Sequence, residues 1–188
     1  MIPYPDVLAA LGRTANPTER RVHFAALLSK VIGTSKADLI VVGGSAIEIY
    51  TSAEYTTGDI DVVAKMPENL KDILVAWRFE KVGRVWANDE LGLVVDIVNR
   101  FYTGDETRTQ IVTTVYGPIR VAAIEDLLVK RLASAKHWRM KGDLEHAKML
   151  AVLYGDRIDW NYVERFASKY DVSDVLSSLR KAMSQVQR

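Results

Sequence analysis

The sequence predicts an α/β chain of the mixed (α+β) kind: a small mixed β-sheet with helices packed on it, followed by a helical lobe. Three observations carry that prediction. Short apolar runs of strand length recur up to Val121, separated by turns and helical stretches. Beyond Val121 the apolar residues fall at three- and four-residue spacing, as on helix faces. Between them, Val41 to Val63 reads VVGGSAIEIYTSAEYTTGDIDVV. That is an apolar strand, a tight glycine turn, a helix, and a second strand carrying two aspartates.

Taken in order, residues 1–16 are a lead-in with a turn or two of helix around Val7 to Leu11. Thr18 is expected to cap a helix that runs to Ile32, with Glu19 in its first turn and Val22, Ala25, Ala26, Leu28 and Ile32 inward. Gly33 and Thr34 should end it. Leu39 to Val42 forms the first strand, and the helix begun at the glycines continues through Ala46 to Tyr50. Ile60 to Val63 belongs to the aspartate strand. Pro67 suits a helix start, with Leu70, Ile73, Leu74 and Trp77 as the buried stripe. Two strands follow, Val82 to Trp86 and Leu91 to Val98, joined by a polar turn at 87–90. Arg100 to Glu106 is a loop. Gln110 to Tyr116 and Ile119 to Val121 read as strands split by Gly117-Pro118.

The second half is expected to be helical. Ile124 to Trp138 opens with Glu125 and Asp126, favourable near a helix N-terminus. Asp143, Asp159 and Ser173 are expected caps of the next three helices, and Gly155 a stop. The aromatics Trp138, Tyr154, Trp160, Tyr162 and Phe166 recur at helical spacing and read as core. We place the boundary near Val121, dividing a core of residues 1–121 from a lobe of residues 122–188.

Composition excludes several classes. The 188 residues are 48% hydrophobic and 26% charged, with a net charge of +1, so bulk charge selects no partner. With no cysteine, disulfides, thiolate metal sites and cysteine nucleophiles are excluded, which fits a cytoplasmic protein. The start, MIPYPDVLAALGR, lacks the pattern of a signal peptide, and no apolar run is long enough for a membrane span. His23, His137 and His146 are scattered. No lysine follows the glycines as in a Walker A loop, and GxGxxG and HExxH are absent. Ser45 lacks a histidine partner for a hydrolase triad.

The chemistry concentrates at the aspartates. Residues two apart on a strand share a face, so Asp59 and Asp61 should stand side by side while Ile60 and Val62 turn into the core. Two carboxylates that close repel unless a cation sits between them. A hard divalent cation such as Mg²⁺ takes carboxylate oxygens and keeps positions open for phosphate and water. The turn Gly43-Gly44-Ser45 opens a helix, where a hydroxyl can cap and backbone N–H groups can meet phosphate oxygens. Asp96 is a lone carboxylate inside the apolar run LGLVVDIV. It is either a strand-end residue facing solvent or a third metal ligand beside the other two. Lys130, Arg131, Lys141 and Asp143 form either a solvated helix face or a cationic set that reaches a triphosphate.

These residues carry a resemblance. Gly43-Gly44-Ser45 followed by Thr57-Gly58-Asp59-Ile60-Asp61 resembles the signature of the DNA polymerase beta-type nucleotidyltransferase superfamily. GGSAIEIY…YTTGDIDVV is similar to its small prokaryotic branch of minimal nucleotidyltransferases and abortive-infection, type IV toxin-like nucleotidyltransferases. EDLLVKRL…KGDLEHAKML resembles the segment after the catalytic strands of that branch. The resemblance spans roughly residues 38–155. It implies a metal-dependent enzyme that moves a nucleoside monophosphate from a nucleoside triphosphate, ATP included, to a hydroxyl acceptor. Asp59, Asp61 and Asp96 would hold Mg²⁺ or Mn²⁺ and perform the chemistry. Gly43, Gly44 and Ser45, with Lys130, Arg131 and Lys141, would bind the nucleotide. Arg131 stands where a lysine is common, and Tyr55 where the branch often has an arginine. The acceptor is left open among transfer RNA, protein and small molecule. A second reading is a nucleotide-binding module that works through a toxin–antitoxin-like partner protein. A third is a metal-dependent phosphoesterase with water as acceptor.

Overall fold

The computed structural model describes residues 5–32, 39–65 and 67–186. The expected helix stop at Gly33 and Thr34 lies outside the described residues. The chain divides into two compact units, Met1–Ala122 and Ala123–Arg188. The fold is the expected mixed α/β one, with a β-sheet core followed by a helical unit.

The first unit is built on a seven-stranded mixed sheet. Its strands are β1 (Leu39–Val41), β2 (Ile60–Ala64), β3 (Glu80–Val82), β4 (Val85–Asn88), β5 (Leu93–Asn99), β6 (Gln110–Thr114) and β7 (Gly117–Val121). They lie in the order β3-β4-β5-β2-β1-β7-β6. β2 pairs antiparallel with β1 and parallel with β5, so the aspartate strand is central. Ile60, Val62, Val63 and Ala64 of β2 are buried although neighbouring residues point to opposite faces, which accounts for the unbroken apolar run beside Asp61. Helices α1 (Pro5–Gly12), α2 (Pro17–Ile32), α3 (Gly43–Tyr50) and α4 (Pro67–Ala76) complete the unit. Phe24 of α2 stacks on Phe79 at 5.2 Å and meets Trp77 edge-on at 5.8 Å. Leu70, Ile73, Leu74 and Trp77 are all buried, as the helical spacing of α4 requires. Each such side chain contributes about 1.5–3 kcal/mol on leaving water.

The structure corrects several local expectations. The run Val82 to Trp86 is not one strand but a hairpin, β3 and β4, turning at Gly83-Arg84 with Gly83 at φ +61°. Its β-branched and aromatic residues masked the turn. Gly117-Pro118 is not the break before β7 but its first two residues, and β6 and β7 turn at Val115-Tyr116. The cap of α2 is Asn16, whose Oδ1 accepts the N–H groups of Thr18 and Glu19. Thr18 instead donates its hydroxyl to Glu48.

The second unit contains α5 (Ile124–His137), α6 (Lys141–Tyr154), α7 (Trp160–Lys169) and α8 (Ser173–Val186). Leu128, Leu132, Ala147, Ala151, Val163 and Phe166 sit in its buried core, with Tyr154, Trp160 and Tyr162 packed against it. Trp138 does not join them: it follows the last turn of α5 and is 69% exposed. Asp159 caps α7 by accepting the Tyr162 N–H at 3.1 Å, and Gly155 is the C-cap of α6. Asp143 is not a cap. The N-cap of α6 is Met140, and the Asp143 carboxylate turns to α5. No described helix is long and apolar enough to cross a membrane.

Candidate active site

The site is assembled from the centre of the sheet. Asp61 lies on β2 directly abreast of Asp96 on β5, as Cα partners in a parallel pair. Asp59 immediately precedes β2, two residues before Asp61, so it is offered on the same side. One carboxylate oxygen from each of Asp59, Asp61 and Asp96 lies within 4.8 Å of the others. Asp96 does not face solvent as a strand-end residue. It is 3% exposed, and β5 continues past it to Asn99.

The glycine turn holds this cluster from the side. β1 ends at Val41, the Val42 N–H donates to the Asp61 carbonyl at 3.0 Å, and α3 begins at Gly43. Gly43 has φ +59°, and a Cβ there would stand 2.2 Å from Asp61 Oδ2. Glycine is therefore required twice over, by conformation and by close approach. The Gly44 N–H donates to the same Oδ2 at 2.8 Å. A Cβ on Gly44 would press on Thr57 Oγ1 at 3.2 Å and the Tyr55 hydroxyl at 3.3 Å.

Ser45 is placed differently from expectation. The N-cap of α3 is Val42, without a side-chain hydrogen bond, and the Ser45 side chain is buried. Its Oγ donates to the Asp59 carbonyl at 3.0 Å and accepts the Asp61 N–H at 2.7 Å. One hydroxyl thus braces the backbone on both sides of Ile60.

Other residues orient the aspartates, and the sequence reading assigned none of them a role there. Thr57 donates its hydroxyl to Asp59 Oδ1 at 2.7 Å. The Thr57 N–H in turn reaches Glu48 Oε2 at 3.4 Å. Glu48 is 2% exposed on α3 and accepts from Arg21 and Thr18 of α2. This chain of contacts ties the connection before β2 to the helices beneath it. Arg84, on the β3–β4 turn, places Nη2 2.6 Å from Asp96 Oδ2. The only sequence signals for these residues were the threonine inside T-x-D-x-D and a Gly-Arg pair within a strand-like run.

The expected cations lie in the second unit. Lys130 is on α5, where burial lowers its pKa and the nearby Asp126 charge pulls it partly back. Arg131 donates Nη1 to Asp143 Oδ1 at 2.7 Å. Lys141 is the first residue of α6. Asp143 also accepts from the Ser134 hydroxyl and lies 3.4 Å from His146 Nδ1. Burial pushes the Asp143 carboxyl up, but the Ser134 bond, the Arg131 charge and bond, and the His146 contact hold it below the ordinary value.

A bundle of three carboxylates beside a glycine-opened helix is what a phosphoryl-transfer centre needs: a place for a cation and a close approach for phosphate. The family model described as "Nucleotidyltransferase of unknown function (DUF6036)" matches residues 22–186. The chain belongs to this nucleotidyltransferase family. The transferase thus falls in the superfamily that the GGS…TGDID pattern indicated, and it is an enzyme of nucleotidyl transfer. Among solved structures, the antibiotic-resistance factor ANT(2'')-Ia, studied in solution with substrate-regulated conformation dynamics, has a similar fold. The likeness covers 90% of the transferase and 100% of that chain, with a TM-score of 0.55 at 13% identity. No curated protein sequence matches.

Proposed function

We propose that the chain transfers a nucleoside monophosphate from a nucleoside triphosphate, ATP among them, to a hydroxyl acceptor, in a reaction that depends on Mg²⁺ or Mn²⁺. The observation that carries this reading is the convergence of Asp59, Asp61 and Asp96 from adjacent strands. Their fit to a cation is chemical. Three hard oxygen donors crowd together, and the buried Asp96 Oδ2 is met only by the charge of Arg84, with no directed hydrogen bond. A divalent ion held there supplies positive charge to the triphosphate and to the departing pyrophosphate. The chain's own residues do the rest. Gly43 leaves room for Asp61, while Gly44 and Ser45 fix the carboxylate and the strand that bears it. In the reaction the acceptor oxygen bonds to the α-phosphorus and the bond to the β-phosphate breaks. Pyrophosphate leaves with the electron pair, and the hydroxyl proton passes to a carboxylate, which we assign to Asp96. The triphosphate-binding role of Lys130, Arg131 and Lys141, and of the turn Gly43 to Ser45, is supported by the sequence resemblance. The setting we propose is the cytoplasm, with which a chain lacking cysteine is compatible.

Titration calorimetry of each nucleoside triphosphate with Mg²⁺, against the wild type and an Asp59→Ala/Asp61→Ala variant, tests the reading. Metal-dependent heat in the wild type alone supports it and names the donor. Equal heat from both proteins refutes the site. Binding that appears only with a copurifying protein favours the partner-dependent module instead.

A further inference from the structure

The residue left unexplained by this reading is Arg84. It sits at the tip of the β3–β4 hairpin, and its side chain is 81% exposed. Yet its guanidinium lies 2.6 Å from Oδ2 of Asp96, a side chain only 4% exposed. The contact is one of charge rather than a directed hydrogen bond, since that oxygen has no hydrogen-bond partner. The hairpin reaches this place because β4 pairs with β5, so its turn is carried to the stretch of β5 that bears Asp96. The residues of β3 are all exposed, and Val82 beside the turn is 59% exposed. Little apolar burial holds the tip where it is, so moving it costs few packed contacts.

Resting on the metal reading above, we propose that Arg84 is a displaceable counter-ion that competes with the divalent cation for Asp96. The reason is stoichiometric. A buried carboxylate oxygen that faces a guanidinium offers the same lone pairs a metal would take. Guanidinium is a single delocalised charge on a flexible, exposed stem, whereas a divalent ion would draw on the charge of all three carboxylates. The cation therefore displaces Arg84, and the displacement weakens its apparent affinity. If the ion pair is made nine-tenths of the time, apparent affinity falls about tenfold. Arg84 so sets the metal concentration at which the site fills, and it couples filling to movement of the β3–β4 turn.

The experiment is Mn²⁺ binding to the full chain without nucleotide, read by electron paramagnetic resonance of free Mn²⁺ and by the rise in Tm that Mn²⁺ produces over EDTA. Wild type, Arg84→Ala, Arg84→Gln and Asp61→Asn are compared. The expected result is Mn²⁺ bound about tenfold more tightly by both Arg84 variants, with a larger Tm rise than wild type. Asp61→Asn should show little of either. A purely structural Arg84 would lower Tm in EDTA and leave the Mn²⁺ increment unchanged. Unchanged or weaker Mn²⁺ affinity in Arg84→Gln, with binding by wild type that Asp61→Asn abolishes, overturns the inference and leaves the metal site standing. Failure of wild type to bind Mn²⁺ at all overturns both.

Discussion

Two clusters built around aspartate, one joining Asp59, Asp61 and the buried Asp96 and the other centred on Asp143 alone, separate structure from chemistry by their difference. In the second unit one carboxylate, Asp143, is surrounded by Ser134, Arg131 and His146. Donors outnumber acids, and the group is satisfied within the fold. In the first unit three carboxylates meet within 4.8 Å. A backbone N–H reaches Asp61, a threonine hydroxyl reaches Asp59, and an exposed arginine reaches Asp96 without a directed hydrogen bond. Folding alone gives no return for crowding like charges in a sheet centre, because each added acid makes the next harder to keep ionised. Three carboxylates gathered at one point form the arrangement that the proposed cation would complete, whereas Asp143, ringed by its own donors, is a brace.

The sharpest way to break that contrast is to remove one acid from each cluster. Asp61→Asn keeps the shape of the side chain and should leave the unfolding temperature unchanged or raised, while nucleotidyl transfer falls by at least about 10²–10³-fold. Asp143→Ala should do the opposite. It leaves Arg131 without its charge partner and Ser134 without its acceptor, and costs about 1–3 kcal/mol of stability, less than a fully buried pair because this one is part-buried. Mn²⁺ affinity should stay at the wild-type level. Chemical denaturation and metal binding measured on both variants decide the matter. Loss of stability in Asp61→Asn, or of metal binding in Asp143→Ala, would erase the distinction drawn here.

A subtler test adds a methyl group where the first cluster tolerates none. Gly43→Ala brings a Cβ to 2.2 Å from Asp61 Oδ2 at a backbone φ of +59°. The carboxylate must move, so metal affinity and turnover should fall together, by about 10–100-fold, as for other losses of ligand orientation. A fall in stability with normal metal affinity would mean that the glycine serves only the turn.

Much of the first cluster was legible in the sequence because its signals are local. Asp59 and Asp61 are two apart, the glycines stand one helix earlier, and Asp96 is conspicuous as an acid in an apolar run. The mixed α/β fold was legible for the same reason, from strand-length runs before Val121 and helical spacing after it. What escaped depends on contacts distant in sequence. That Ser45 braces the aspartate strand instead of capping α3 requires knowing where β2 runs beside it. Arg84 was hidden because Val82, Val85 and Trp86 favour a strand, while the turn rests on Gly83 alone. Pro118 misled in the other direction. It reads as a break, yet it is accommodated as the second residue of β7. Asp143 looked like a helix cap from its place before an apolar run, and only the packing of α6 on α5 shows that it is a brace.

The smallest expected effect concerns acid. Asp143 has a folded pKa below its ordinary value, so the folded chain binds its proton less readily than the unfolded chain does. Its contribution to stability is complete above the ordinary aspartate range, about pH 4. It is lost as pH falls from there through the lowered folded value. Wild type should therefore lose stability more steeply below about pH 4 than Asp143→Asn, whose amide has no proton to take up in that range. Above that range the two stability profiles should run parallel, offset by the cost of the lost charge pair. Urea denaturation at a series of pH values measures the slopes. Equal slopes at low pH would mean that Arg131 and Ser134 do not favour the charged form of Asp143, and the second cluster would lose its standing as the satisfied counterpart of the first.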